Sequence, residues 1–371
     1  MPFYSDIQKP TLILNEARCR ANIARMAEKA RRNTVRFRPH FKTHQCAAIG
    51  DWFREWGVTA ITVSSVDMAS YFAGHGWRDI TIAFSLNWRQ IEAINDLAGQ
   101  IHLGLLFESP ESLAYAGAHL THPVDGWIKI DGGAHRTGIP FQNTEEVIAL
   151  AGAMAQSGRI RLKGLLTHAG NTYHASDRQA VVSIYQESVA HLKNLAGNLE
   201  QAGYMGVEVS VGDTPSCSLV DDLLGVDEIR PGNFVFFDAM QWQIGSCTEE
   251  EIAVGVVCPV VAHHAERNEI VIYGGAIHLS KEMISMDGHS CFGLVAYPTQ
   301  DGWGKFLPGA YVSSLSQEHG LLKVAQEDFH RIQIGDLLVV IPVHSCLAVA
   351  CLQYYVTSKG TTLNSFRSDY S

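Results

Sequence analysis

Eight short apolar runs recur through the first 232 residues, and this recurrence constrains the fold more than any other feature of the chain. The runs are Val35–Phe41, Ala60–Val63, Ile80–Phe84, Ile101–Phe107, Trp127–Ile130, Leu162–Leu166, Val207–Val211 and Glu228–Arg230. Segments with helical spacing of apolar residues lie between most of them, such as Trp88–Ala98, Pro110–Ala118, Thr144–Ala155 and Gln179–Gln201. Eight strands alternating with helices predict an α/β fold, a (β/α)₈ TIM-type barrel. A doubly wound open sheet is the alternative, weakened by the lack of a GxGxxG motif after the first strand.

After about Phe237 the pattern changes to closely spaced apolar runs separated by Gly, Pro, Asp and Asn. These runs are Ile252–Val261, Ile270–Tyr273, Tyr311–Leu315, Leu321–Val324, Leu337–Ile341 and Ala348–Val356. Such spacing with few helical stretches predicts an all-β C-terminal domain. We therefore expect a barrel over residues 14–240 and a β domain over 241–371. Residues 1–13 are expected to join the β domain, because Thr11–Leu14 is itself strand-like.

Composition narrows the possible partners of the protein. The 371 residues carry a formal net charge of −10, which argues against broad contact with nucleic acid or anionic membranes. The eight cysteines include no CxxC pair, as is typical of a reducing compartment. No apolar run reaches membrane-spanning length, and the N-terminus lacks the basic and apolar regions of a signal peptide. These features predict a cytoplasmic protein that acts on a small molecule.

A lysine stands at the end of the first predicted strand. Lys42 directly follows Val35–Phe41, and the C-terminal edge of the strands is where active sites of β/α barrels gather. A lysine amine becomes a nucleophile when burial or nearby cations depress its pKa. Arg38, His40 and His44 lie within four residues and are candidate neighbours.

Polar motifs follow the fifth and sixth predicted strands as well. The first, Asp-Gly-Gly-Ala-His-Arg136-Thr-Gly, combines glycines that permit tight turning with the planar donor fork of Arg136. The second, Thr-His168-Ala-Gly-Asn-Thr-Tyr173, places an imidazole and a phenol where they could pack against a flat ligand. If the strands form a barrel, both motifs converge at the mouth where Lys42 lies.

Two loops carry the pattern of a phosphate site. Gly-Asp-Thr214-Pro-Ser follows strand seven, and Arg-Pro-Gly232-Asn233 follows strand eight. In barrels these two loops frequently bind phosphate through backbone N–H groups. A phosphorylated cofactor is therefore expected.

The β domain contains one candidate metal pair. His344 and Cys346 flank Ser345, and on an extended segment residues two apart point to the same side. Nitrogen and sulfur ligands suit zinc, and only two protein ligands would leave positions open for substrate, as catalytic zinc requires. His319 is a candidate neighbour of this pair.

Taken in order, these motifs resemble those of the D-serine dehydratase-like family. That family is grouped with the D-threonine aldolases and alanine racemases among fold-type III pyridoxal-phosphate (PLP) enzymes. The resemblance runs from about residue 10 to residue 357. It implies a homodimer that binds PLP and a divalent metal.

The resemblance also implies roles for individual residues. Lys42 resembles the Schiff-base lysine that holds PLP and moves the Cα proton. Arg136 resembles the arginine near the phenolic oxygen of the cofactor, and His168 and Tyr173 resemble residues beside its ring. The residues that resemble the phosphate cradle are Thr214, Gly232 and Asn233, and those that match zinc ligands are His344 and Cys346.

One position departs from the family pattern. Asp213 stands where the family commonly has serine, and a carboxylate beside a phosphate would repel it. Either its side chain points away and only its backbone contributes, or the phosphate contacts are redistributed.

The activity implied is β-elimination from a D-β-hydroxy amino acid, giving a keto acid and ammonia, as in a D-serine ammonia-lyase. Retro-aldol cleavage to glycine and an aldehyde is the alternative, although aldolases of this group usually carry Asp in the metal pair. An amino-acid racemase and a non-catalytic PLP carrier are further alternatives. The metal pair counts against both, and the β domain also counts against a carrier.

Overall fold

Eight parallel strands form a barrel in a computed structural model, which describes residues 4–370. In sheet order the strands are Arg36–Phe37, Glu228–Ile229, Glu208–Val211, Ile160–Leu166, Val124–Asp131, His102–Phe107, Asp79–Ser85 and Ala60–Val63. Hydrogen bonds close the sheet, because Phe41 N donates to Thr62 O at 2.8 Å and Thr62 N donates to Pro39 O at 2.9 Å. The barrel prediction is confirmed, and closure excludes the open doubly wound sheet.

The first strand is shorter than expected. Only Arg36–Phe37 is regular strand, and pairing resumes as one bridge between His40 and Thr62. Pro39 interrupts the ladder because proline has no N–H to donate. Lys42 therefore lies in a turn after the strand.

Helices follow most barrel strands, as predicted. The helices of the described chain are Glu16–Arg32, Ala47–Arg54, Val66–Gly74, Ile91–Ala98, Pro110–His119, Thr144–Ser157, Arg178–Gln201, Thr214–Leu219, Ala239–Ile244, Ala276–Leu279, Gln326–Arg331 and Ser345–Leu352. Short 3₁₀ segments occur at Trp88–Gln90, Gly170–His174, Asn233–Val235, Glu249–Glu251, Ala265–Arg267 and Phe366–Tyr370. Within residues 4–370, no helix is long and apolar enough to cross a membrane.

Charged side chains fill the end of the barrel at which the strands begin. Glu228 is fully buried, and its Oε2 atom accepts hydrogen bonds of 2.7 Å from both Arg36 and Arg38. Arg38 also donates to both carboxylate oxygens of Asp79, at 2.6 and 3.2 Å. Arg38 is thus engaged in this network, so it does not supply the cation that the sequence suggested beside Lys42.

The second sheet is antiparallel apart from one pair of strands. In sheet order its strands are Glu269–Tyr273, His319–Lys323, Gly302–Leu315, Gly293–Thr299, Leu337–Pro342, Val254–His264, Thr11–Leu14, Tyr354–Thr357 and Thr362–Asn364. The first of these also pairs with Val254–His264, so six strands form a ring. Thr11–Leu14 pairs with Val254–Val257, and a small hairpin joins Ile284–Met286 to His289–Cys291. An all-β C-terminal domain is therefore confirmed.

Contacts divide the described chain into two units. The barrel unit comprises 24–42 and 50–232, and the β unit comprises 4–23, 43–49 and 233–370. The short stretch 43–49 is tied to the β unit by Tyr355, whose hydroxyl donates to His44 O at 2.5 Å. The domain boundary at 240/241 stays a prediction of the sequence.

One predicted element is wrong. The run Ala348–Val356, expected to be a strand, is the end of the helix Ser345–Leu352 followed by the strand Tyr354–Thr357. Gln353 separates them with a left-handed backbone, φ 66°. Continuous apolar runs do not distinguish a buried helix from a buried strand, because neither has a polar face to reveal its period.

Candidate active site

Lys42 is presented by a turn whose base is anchored in the core. Phe41, directly before it, is fully buried and packs against the rings of Phe53, Phe72 and Trp77 at centroid distances of 5.0 to 5.1 Å. The side chain of Lys42 is half-buried, and its backbone N–H points to His40 Nδ1 at 3.4 Å. This anchoring restricts the positions that the amine can reach.

The loop after strand eight is fastened to the same turn. His40 N donates to the carbonyl of Pro231 at 2.9 Å. Gly232 is the next residue, so it lies close to the turn that carries Lys42. The structure therefore brings the lysine motif and the Arg230–Gly232 motif together at one edge of the barrel.

The motifs after strands six and seven meet at this edge. Nδ1 of His168 donates to the carbonyl oxygen of Gly212, and the rings of His168 and Tyr173 lie 5.9 Å apart. Thr214 N points to the hydroxyl of Tyr173 at 3.4 Å. Burial lowers the pKa of His168 well below its ordinary value, and the charge of Lys42 lowers it further. His168 is therefore neutral, with Nδ1–H engaged and Nε2 as the acceptor.

Positive charge accumulates inside the barrel. Lys129, on the strand Val124–Asp131, is 6% exposed. Burial, together with the charges of Arg230 and Arg136, lowers its pKa to about 7. Arg230 is also buried and donates to Ser210 Oγ at 2.7 Å, and burial lowers its pKa to about 10. Lys129, Arg136 and Arg230 thus influence one another electrostatically, and an anionic cofactor such as PLP would reduce their repulsion.

The loop that carries Arg136 is held by two carboxylates. Asp131 Oδ1 accepts from the backbone of Gly133 at 2.9 Å and of His135 at 3.1 Å. Glu108 accepts from the backbone of Gly138. Gly138 has φ 108°, and a Cβ there would lie 2.7 Å from Asp131 N, so the turn requires glycine. These bonds hold the turn in which Arg136 lies, although the side chain itself is exposed.

The side chain of Asn233 lies beside the proposed metal pair. Its amide Nδ2 donates to Asp238 at 2.5 Å, to Ser345 Oγ at 3.0 Å and to Cys346 Sγ at 3.8 Å. The side chain is thus engaged within the β unit. Only the backbone of Asn233 is left for the predicted contact with a phosphate.

His344 and Cys346 come together through a helix start and not through a strand. His344 is the N-cap residue of the helix Ser345–Leu352, and Cys346 lies in its first turn. The same-face argument from an extended segment is therefore wrong, yet a hydrogen bond joins the two side chains. Burial would lower the pKa of His344, but the adjacent Cys346 and the carboxylates of Asp238 and Glu282 outweigh it and raise the pKa to about 9.

The pair fits an open metal site. Cys346 is 8% exposed, and its Sγ atom lies 3.3 Å from the hydroxyl of Thr43. Among residues 4–370, no third histidine, cysteine, aspartate or glutamate completes a group that could hold a metal ion, which also leaves His319 outside. An imidazole and a cysteine sulfur suit a borderline cation such as zinc.

Sequence reasoning missed two residues of these sites. Lys129 interrupts the apolar run Trp127–Ile130, and a charge within a buried strand was the available signal. Asp238 precedes the short helix Ala239–Ile244, and an aspartate before a helix is an N-cap signal. Neither signal says which other side chains the residue contacts.

His44, proposed as a cationic neighbour of Lys42, is fully buried, and burial lowers its pKa to about 3.

Two domain families match this architecture. The alanine racemase N-terminal domain matches residues 14–240, and the domain family described as "Putative serine dehydratase domain" matches residues 253–358. The fold and the barrel site thus define an alanine-racemase-like PLP enzyme.

Relatives of known activity span the same length. A D-threo-3-hydroxyaspartate dehydratase of Delftia sp. is 30% identical over 358 residues, covering 94% of this chain and 93% of the relative. A D-serine dehydratase of Dictyostelium discoideum is 27% identical over 392 residues, covering 98% and 97%. A D-threonine aldolase of Arthrobacter sp. is 22% identical, covering 91% and 86%. The chain belongs to the D-serine dehydratase and D-threonine aldolase family of PLP-dependent lyases.

The solved structure of the Delftia enzyme superposes with a TM-score of 0.90 at 28% identity, covering 98% of both chains. A variant of that enzyme in which a cysteine is replaced by alanine is described as a metal-free form. A second variant replaces a histidine two positions earlier by alanine.

Proposed function

We propose that the protein is a PLP- and divalent-metal-dependent D-serine dehydratase-like lyase. Its substrate is D-serine or a β-substituted D-serine, and its products are a keto acid and ammonia. The observation that carries the proposal is the contact between His344 and Cys346, an N/S pair with open coordination positions in a chain that also has a barrel-mouth lysine.

The barrel residues supply the cofactor site. Lys42 would hold PLP covalently, Arg136 would approach its phenolic oxygen, and His168 and Tyr173 would lie beside its ring. The phosphate would be bound by backbone groups at Thr214, Gly232 and Asn233. Bound PLP would supply an electron sink for charge that develops at the substrate Cα.

Lys42 is the group proposed to move the Cα proton. Its backbone is fixed by the buried Phe41 and by the contact with His40, which limits the directions that Nζ can take. His168 is neutral and donates through Nδ1 to the carbonyl of Gly212. It can therefore orient the cofactor ring without placing a second cation beside Lys42. Correct orientation of the amine toward Cα lowers the activation free energy by several kcal/mol, and by about 7 to 11 kcal/mol in favourable cases.

His344 and Cys346 would hold the metal. Hydroxide is a poor leaving group, and a divalent ion held by these two residues would supply Lewis-acid assistance to its departure. Zinc is the proposed ion because the ligands are imidazole and thiolate. D-threo-3-hydroxyaspartate dehydratase has a histidine and a cysteine at the same His-x-Cys spacing, and its cysteine variant has been solved in a metal-free form.

Retro-aldol cleavage is the second candidate. Neutral His168 leaves Nε2 as an acceptor that could take the β-hydroxyl proton, which such cleavage requires. A cysteine in the metal pair, where aldolases of this group usually have aspartate, favours dehydration.

A product screen distinguishes the two. D-serine, D-threonine and D-threo-3-hydroxyaspartate are incubated with the purified enzyme loaded with PLP and zinc, and keto acid, ammonia, glycine and aldehyde are measured. Keto acid and ammonia in equal amounts are expected. Glycine with aldehyde as the main products would contradict dehydration. L-Serine serves as the stereochemical control.

A further inference from the structure

A buried carboxylate binds the backbone between His344 and Cys346. Asp238 is 1% exposed, and its Oδ2 atom accepts from Ser345 N at 2.9 Å and from Ser345 Oγ at 3.2 Å. Its Oδ1 atom accepts from Gln241 N at 3.0 Å, which caps the helix Ala239–Ile244. One carboxylate thus joins the starts of two helices.

The same carboxylate is linked to the cysteine through Asn233. The amide Nδ2 of Asn233 donates to Asp238 at 2.5 Å and also points to Cys346 Sγ at 3.8 Å. The backbone that carries both proposed ligands is therefore surrounded by Asp238, Asn233 and Ser345. Groups that orient ligands in this way commonly set metal affinity.

The donors to Asp238 in this cluster are neutral: one side-chain amide, one hydroxyl and two backbone N–H groups. A buried carboxylate costs several kcal/mol of desolvation unless a positive charge lies nearby. Asp238 contacts Ser345, the residue between the two proposed ligands, so a cation bound by His344 and Cys346 would supply such a charge.

We propose that Asp238 is a positioning residue for the metal pair. It fixes the N–H of Ser345, so that His344 before the helix and Cys346 within its first turn keep a common orientation, and its charge stabilises the bound cation. The inference rests on the proposed function, in which His344 and Cys346 hold a divalent ion.

The test measures metal binding directly. Metal-depleted enzyme that retains PLP is titrated with Co²⁺, and the thiolate-to-cobalt absorption band is followed with and without a competing chelator. Asp238→Asn keeps the shape and the helix cap but presents an NH₂ group or an uncharged oxygen to Ser345 N–H. We expect Co²⁺ affinity to fall roughly 10- to 100-fold, the range typical of partners of metal ligands.

Asp213→Asn is the matched control. Asp213 is likewise buried, at 3% exposure, and caps a six-residue helix by accepting from Ser216 N at 2.8 Å. It lies in the barrel unit, so the same chemical change there is expected to leave Co²⁺ affinity unchanged. Should Asp238→Asn fail to fold, Ser345→Ala removes one of the two Ser345 bonds and is expected to weaken Co²⁺ binding to a smaller extent.

The outcomes separate the inference from the proposed function. If His344→Ala abolishes the band while the folded Asp238 variant binds Co²⁺ like the parent, the positioning role is wrong and the metal site stands. Parent-like affinity in Ser345→Ala overturns the inference in the same way if Asp238→Asn does not fold. If the parent itself shows no thiolate band, the metal assignment is wrong and the inference falls with it.

Discussion

The hydroxyl of Thr172 donates a hydrogen bond of 2.9 Å to the buried carboxylate of Asp213. The same oxygen, Oδ1, caps the helix Thr214–Leu219 by accepting from Ser216 N. An aspartate in a loop proposed to bind phosphate is therefore engaged with its own helix and with the neighbouring loop. This supports the reading in which Asp213 contributes only its backbone to the phosphate site.

Replacing Asp213 by asparagine should be harmless or stabilising at pH 7. Burial raises the pKa of Asp213, although its hydrogen bonds partly oppose this. A raised folded-state pKa stabilises the protein below the unfolded-state value, about 3.9, and this contribution is lost as pH rises through the folded-state pKa. Asparagine keeps the acceptor without the charge, whereas Asp213→Ala should lose about 1 to 2 kcal/mol of cap energy. Urea unfolding at pH 7 tests this, and equal destabilisation of both variants would contradict it.

Lys42 should carry the cofactor. The purified protein is expected to be yellow, and borohydride reduction should fix PLP on the peptide that contains Lys42, as read by mass spectrometry. Lys42→Ala should show no fixed cofactor, whereas Lys29→Ala, which removes a lysine whose amine donates to Ser218 O, should still be labelled. Labelling of any other lysine in the parent would refute the assignment.

Removing the metal should stop turnover without removing PLP. Because Lys42 and the barrel residues proposed to bind PLP are not among the proposed metal ligands, chelation is expected to leave the PLP absorption band and the fold largely intact. Cys346→Ala should imitate chelation. Cys351→Ala, on the same helix but exposed, is the matched control and should retain activity and metal. Full turnover after rigorous chelation would mean that Cys346 is a buried thiol and not a metal ligand.

Glu228 should be required for stability. Burial alone would raise its pKa, but Arg38 and Arg36 outweigh burial and lower it. A lowered pKa stabilises the fold above the unfolded-state value, about 4.3, and this stabilisation is lost as pH falls through the folded-state pKa. Glu228→Gln removes the charged partner that Arg36 and Arg38 share. It should lower the free energy of unfolding by roughly 3 to 5 kcal/mol at pH 7.

Urea unfolding as a function of pH measures this effect. The difference between Glu228→Gln and the parent should shrink in acid, because the parent carboxylate is then protonated too. Glu250→Gln breaks an exposed pair with Lys305 and should change stability little at any pH. A constant difference across the acid range would mean that the loss comes from packing and not from charge.

Sequence reasoning reached the barrel because its strands and helices differ in period and alternate eight times. It predicted that Lys42, His168 and Thr214 lie at one edge because each follows a strand, and strand ends of a barrel meet at one edge. It did not reach the helix that begins at Ser345, whose apolar residues surround it on all sides. It also gave no sign that the amide of Asn233 contacts Ser345, because a contact across more than one hundred residues leaves no local pattern in the sequence.

The bond that breaks is the last prediction. Dehydration and retro-aldol cleavage use the same cofactor and differ in which proton is removed first, from Cα or from the β-hydroxyl. If Lys42 removes the Cα proton, D-serine deuterated at Cα should react more slowly than ordinary D-serine, provided that this transfer limits the rate. Stopped-flow measurement of a single turnover tests the transfer even where product release limits the steady state. Deuterium at Cβ serves as the control and should have little effect. A reaction that releases aldehyde and shows no slowing with Cα deuterium would instead indicate a base acting on the β-hydroxyl, with His168 Nε2 as the first residue to replace.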